Sequence, residues 1–192
     1  MEATPSGWLL LLAQLPSSPS SSRVALWRRL RAIGATGILN GAWVLPRVPA
    51  HEEFFAQLRE TVRGQGGTVF VLCVSALSPE TNESIVGSFR ADRGREYAEF
   101  TERCAAFLTE MTKETRAGKF TFAELEESEQ DLEKLARWLP KIQARDFFPD
   151  EGLTRSAAAL ERCREALDAF SSSVYAAAGV QEPADGTPEG PD

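Results

Sequence analysis

An α+β fold, with a strand-rich first half and a helical second half, is predicted by three observations. The segment Thr36–Pro46 reads as two short strands around Asn40-Gly41, a pair whose tolerance of φ > 0 suits a two-residue hairpin. The run Trp8-Leu9-Leu10-Leu11-Leu12 reads as a covered central strand, and an Arg-rich helical stretch separates it from the hairpin. From Ser78 onward the apolar period changes from about 2 residues to about 3.6, the signature of helices.

The first strand runs from about Gly7 to Leu15 and stops at Pro16. Ser17–Ser22 offers hydroxyl caps for a first helix over Ser20–Ile33, with Val24, Leu26, Trp27, Leu30 and Ile33 as its apolar stripe and Gly34 as its stop. After the hairpin, a second helix opens near Ala50, buries Phe54, Phe55, Leu58 and Val62, and ends in the glycines Gly64, Gly66 and Gly67. Thr68–Leu77, β-branched and apolar, is the fourth strand. Strand–helix–strand–strand–helix–strand is the ferredoxin-like split order, with both helices on one face of an antiparallel sheet.

In the second half, Glu83–Arg90 is expected as a short helix or a loop. Phe89, Tyr97, Phe100, Cys104, Phe107, Leu108 and Met111 then share one helical stripe ending near Gly118. Thr121-Phe122-Ala123-Glu124 is a capping box for the next helix, lined by Phe122, Leu125, Leu132, Leu135, Leu139 and Ile142 and kinked or ended early by Pro140. Asp146-Phe147-Phe148-Pro149 reads as a turn with two anchoring aromatics. A last helix, about Leu153–Ala177, buries Leu153, Ala157, Leu160, Leu167, Phe170 and Val174. The expected organisation is an α+β domain over 1–78, a helical subdomain of three to four helices over 79–178 packed on it, and a disordered acidic Gly/Pro tail over 179–192.

Composition narrows the function. The longest apolar run, Trp8–Ala13, is far too short to cross a bilayer, and Met1-Glu2 supplies no positive region for a signal peptide. Three isolated cysteines, Cys73, Cys104 and Cys163, have no paired spacing and read as small core residues of a reduced, cytoplasmic protein. One histidine, His51, excludes a multi-histidine metal site, and it is expected to face solvent. Residues 1–78 carry seven arginines against four glutamates, net +3, whereas the rest carries 14 basic and 24 acidic side chains, net −10. That asymmetry argues against a molecule-wide nucleic-acid surface and leaves room for local basic patches.

Two such patches stand out. The first is Arg23, Arg28, Arg29 and Arg31 on the first helix; the second is Arg90, Arg93 and Arg95 with Tyr97. Converging guanidinium groups suit an oxyanion or a phosphate, and Arg93 and Tyr97 share a helix face at four-residue spacing. The alternative use of each patch is structural. The first would be a solvated face with arginine stems over apolar neighbours, and the second would pair with Glu96, Glu99, Glu102 or the acidic run Glu126–Glu133.

The stretch Arg28–Ala35 leading into Leu39–Pro46, followed by Arg93-Gly94-Arg95-Glu96-Tyr97-Ala98-Glu99-Phe100 and Arg145-Asp146-Phe147-Phe148-Pro149, resembles the ChrB N-terminal family of chromate-resistance regulatory proteins over about residues 7–178. The hairpin signature is also similar to the Cas2-like domain of PaaX-type repressors. The resemblance implies a Cas2-like sheet domain in a cytoplasmic bacterial protein that takes part in a transcriptional or stress response to chromate, a divalent oxyanion. ChrB-type proteins continue into a second domain, so this chain is expected to be half of such a regulator or a stand-alone relative. No winged-helix domain is expected ahead of its first strand. Metal nucleases on the Cas2 scaffold carry an Asp at the end of strand one, where this chain has Ala13-Gln14-Leu15, and a neutral Gln is a poor ligand for a hard divalent cation.

The resulting expectation is a non-enzymatic sensor module without cofactor or metal, engaging an oxyanion or DNA through Arg23, Arg28, Arg29, Arg31, Arg90, Arg93, Arg95 and Tyr97, with no membrane contact. The alternative is a homodimerising interaction module without its own ligand. A nuclease or a chromate reductase ranks below both.

Overall fold

The computed structural model describes residues 7–18 and 20–180. It is a mixed α+β protein. In chain order its elements are β1 (Trp8–Gln14), α1 (Ser20–Ile33), β2 (Thr36–Leu39), β3 (Ala42–Pro46), α2 (Pro49–Gly64), β4 (Thr68–Val74), α3 (Pro79–Ala117), α4 (Phe122–Gln143) and α5 (Glu151–Ala178). Of the expected tail, everything from residue 181 lies outside the described residues.

The four strands form one antiparallel sheet in the order β2-β3-β1-β4. Because side chains alternate across a strand, Leu9 and Leu11 point to one face and Trp8 and Leu10 to the other. The first face meets Leu30 of α1 and Phe55, Leu58 and Val62 of α2 in a core completed by Leu45 and Val69. On the second face, Trp8 and Val44 pack with Phe89 of α3 and with Phe148, Trp8 stacking on Phe89 at 5.7 Å between centroids. That cover is partial: on the same face Leu12, Phe70 and Leu72 are exposed.

The hairpin departs from expectation in its turn. Only Gly41 has positive φ, at 76°, whereas Asn40 does not. The β2–β3 pairing also carries a register shift between Gly37 and Leu39, the kind of irregularity that increases local strand twist. Gly41 is needed for a second reason, since a Cβ there would lie 2.7 Å from the Ala13 carbonyl oxygen.

Several expected burials are corrected. Val24 and Trp27 are exposed, and α1 packs through Leu26, Leu30 and Ile33 instead. A strict three-residue repeat drifts about 60° per step around a helix, so the series 24-27-30-33 cannot stay on one face. His51 is buried rather than solvated: its Nδ1 is 2.7 Å from the Pro46 carbonyl and its ring meets Phe147 edge-on. Cys73, on the edge strand β4, is exposed, whereas Cys104 and Cys163 are buried as expected. Phe122 and Ala157 are exposed, with Ala159 buried in place of the latter. Glu83–Arg90 is no separate element but part of the 39-residue α3, which starts under the Ser78 hydroxyl, an acceptor for the Thr81 amide. α4 continues through Pro140 to Gln143.

The chain divides into two compact units that interleave. One comprises Tyr97 and the residues before it together with Lys141–Gly152; the other comprises Ala98–Pro140 and the chain from Leu153 on. The first unit thus takes in the start of α3 and the Phe147-Phe148 turn, the segments that cover the second sheet face. In the second, α3 and α4 form a helical hairpin whose turn is capped by Thr121, its hydroxyl accepting from the Glu124 amide at 3.3 Å. α5 packs on that hairpin, Phe170 against Phe120 and the Cys163 thiol donating to the Cys104 carbonyl. Among the described residues no helix is long and apolar enough to cross a membrane.

Candidate functional site: a buried arginine cluster

Gly34 makes the site. It closes α1 with φ of 88°, and the Ala35 amide reaches back to the Leu30 carbonyl at 2.9 Å, a Schellman-type stop. A Cβ on Gly34 would lie 2.9 Å from the Arg145 Cβ and 3.1 Å from the Phe147 ring. Only glycine lets the end of α1 sit against the turn that follows α4. That approach brings Arg31, from the last turn of α1, and Arg145 to the same stretch of α3.

There, α3 presents Asp92, Arg93, Glu96 and Tyr97. Asp92, 6% exposed, accepts from Arg31 at 2.7 Å, from the Thr36 hydroxyl at 3.0 Å, and from Arg95. Glu96 accepts from Arg93 at 3.0 Å and from Arg145 at 2.9 Å on the same oxygen, with Arg31 3.8 Å from its other oxygen. Tyr97 donates its hydroxyl to Asp146 at 2.9 Å. Four guanidinium groups therefore surround two carboxylates, with Asp146 as a third acid held by Tyr97.

The donors are not used up. Arg93 is 2% exposed, and among the described residues its Nε and one terminal nitrogen have no hydrogen-bond partner; nor has the Nε of Arg145. Unpaired buried donors are costly, and each unsatisfied one calls for an explanation. Burial pushes the Arg93 pKa below the ordinary arginine value; Glu96 opposes this, while the Arg145 and Arg31 charges add to it. Tyr97 shifts upward, first through burial and then through its hydrogen bond to Asp146.

The structure redistributes the two predicted patches. Arg31 leaves its helix neighbours to join Arg93 and Arg95. Arg23 instead braces the β1–α1 loop through the Pro16 and Ser17 carbonyls. Arg29 donates to Thr61 and lies over the Phe54 ring, and Arg28 is exposed. Arg90 is half-buried one turn before Arg93. Sequence reading overlooked Asp92, although its place three residues before Arg95 was a usable signal.

Elsewhere the chemistry is thin. Burial pushes the Cys163 thiol up to about 12 and raises Cys104 as well, so neither supplies a thiolate. Among the described residues no group of three or more His, Cys, Asp or Glu is arranged to hold a metal ion.

Comparison with known proteins gives the arrangement its context. Residues 23–181 match the family model described as Protein ChrB, N-terminal. The chain belongs to the ChrB N-terminal family. It is 29% identical over 178 residues to Protein ChrB of Cupriavidus metallidurans, an alignment covering 90% of this chain and 51% of that protein. The chain thus spans about half the length of this ChrB relative. Arg31, Asp92, Arg93, Glu96 and Arg145 all fall inside the stretch that the ChrB N-terminal model matches.

Proposed function

We propose that this ChrB N-terminal chain is a non-enzymatic regulatory module of the chromate-resistance type, acting in the cytoplasm, and that its arginine cluster receives a tetrahedral divalent oxyanion. The sheet order and the paired helices fit a ferredoxin-like, Cas2-like scaffold, which here carries a binding site and no catalytic acid. The observation behind the reading is the convergence of Arg31, Arg93 and Arg145 on the Glu96 carboxylate, with two further nitrogens of Arg93 unpaired. Glu96 acts as a built-in stand-in for the anion. An oxyanion that displaced it would inherit the forked donors of Arg93 and Arg145 and could also satisfy the idle N–H groups. Displacement frees Glu96 and loosens its tie between α3 and the turn at Arg145, a structural change that a regulator can report. DNA contact through α1 has less support, because Arg23 and Arg29 are engaged locally and Arg31 is turned inward.

Calorimetric titration with chromate and sulfate tests this. The expected result is saturable binding that Glu96→Gln strengthens and Arg93→Met abolishes. No heat and no thermal shift with either anion, in native protein and in the Glu96→Gln variant alike, would remove the oxyanion reading.

A second reading, homodimerisation, is supported by β4. This seven-residue edge strand has no charge and no proline, and it exposes Phe70 and Leu72, the unguarded type of edge that pairs with another chain. An antiparallel pair centred on Val71 would set each Phe70 opposite the partner's Leu72. Light scattering should then report a dimer that Phe70→Lys converts to monomer; a monomeric native protein at high concentration excludes it.

A further inference from the structure

Between α3 and α4, within the second compact unit, lies an open groove of about 520 Å³ that the arginine cluster does not use. No residue of α5 lines it. Its floor is largely apolar, formed by Phe107 and Met111 from α3 and Leu135 and Trp138 from α4, with the buried Glu114 and Ser128 beside them. Its rim is acidic, with Glu110, Glu124, Glu127 and Asp131 against Arg103 and Lys134. The acid extends beyond the rim, for α4 carries six carboxylates and no basic residue from Phe122 to Glu133. The rim ion pairs Glu110–Lys113 and Asp131–Lys134 lie on exposed i,i+3 positions and hold little energy, so a partner's cations can replace the lysines.

We propose that this groove docks a cationic amphipathic helix of a protein partner. Two antiparallel helices leave a furrow that a third helix naturally fills, its apolar row at i, i+3, i+4 and i+7 seated on the floor. The volume admits a row of side chains rather than a whole helix, so the helix backbone stays at the mouth. Its lysine and arginine stems then run over the apolar edge, and their heads reach the rim carboxylates. From Arg103 to Glu114 the groove follows about 16 Å of helix, three turns, enough to read such a spacing. Charge selects the occupant: a nucleic acid or an acidic helix would meet like charge, whereas a basic helix is drawn in.

The chain contains only two methionines, Met1 and Met111, which makes the test direct. In full-length chain labelled at the methionine methyls, the Met111 resonance should shift saturably with a synthetic Leu/Lys peptide of amphipathic helical spacing. A peptide of identical composition in scrambled order should leave Met111 unmoved, and Glu127→Lys with Asp131→Lys should weaken binding about tenfold with the circular dichroism spectrum unchanged. The proposal is overturned if Met111 does not respond, if the scrambled peptide binds equally, or if a Leu/Glu peptide binds as well. A Met111 shift that depends on protein concentration alone would also overturn it, by showing a second copy in the groove.

Discussion

In the first compact unit, beside exposed pairs such as Arg47–Glu52, one set of charges is gathered and buried: Arg93 is 2% exposed, Asp92 6%, and arginines from α1, α3 and the turn after α4 meet two carboxylates. In the second, the buried Glu114 apart, charges are spread over helix surfaces as short-range pairs such as Glu110–Lys113, Asp131–Lys134 and Glu133–Arg137. The same residue types therefore serve two ends. A buried pair is expensive to desolvate and strongly destabilising to break, so it specifies geometry and can hold a site under tension. An exposed pair is worth little and leaves its carboxylates available to a partner.

The largest effect that would sharpen this contrast comes from Asp92→Asn. Arg31, Arg95 and the Thr36 hydroxyl would lose their common acceptor charge, and the expected loss is about 3–5 kcal/mol by chemical denaturation. A loss below about 1 kcal/mol would place the cluster among surface pairs and break the contrast.

Tyr97→Phe comes next. Removing the hydrogen bond to Asp146 should cost about 1 kcal/mol at neutral pH. The pH dependence carries a sign. The folded-state pKa of Tyr97 is raised, so the unfolded chain releases this proton first. The stability it contributes is full below the ordinary tyrosine value of about 10 and falls as the pH rises from there toward the folded pKa. Denaturation midpoints measured on either side of about pH 10 should show a shallower alkaline decline in the Phe variant than in native protein. An equal decline in both would exclude Tyr97 as its source.

Smallest is Glu133→Ala, which removes the i,i+4 partner of Arg137. The expected change is about 0.5 kcal/mol or less, reduced further by salt. A larger loss would mean that the pairs of the second unit stabilise it after all.

Much of the α+β order was legible in the chain, because strand and helix periods differ and Gly34, Pro46 and Gly118 punctuate them. The misreadings share a cause. Trp27 and Val24 belong to a helix whose rotation about its axis only the sheet decides, and His51 is buried because Phe147, nearly a hundred residues on, closes over it. Of the site, Arg93, Arg95 and Tyr97 could be read from their spacing on one helix. Asp92 could have been paired with Arg95 by the same spacing, but that it also accepts from α1, and that Arg31 is a member while Arg23 and Arg29 are not, could not.

The sequence by itself determined the element types, the strand order's beginnings in the hairpin, the acidic bias of α4 and kinship with the ChrB N-terminal family. Those depend on local period, local composition and motif order. Only the tertiary structure decided which arginines converge. Gly34 lets α1 touch Arg145 across more than a hundred residues of chain, and the neutralisation of buried guanidinium groups is settled by whichever carboxylates that approach brings within reach.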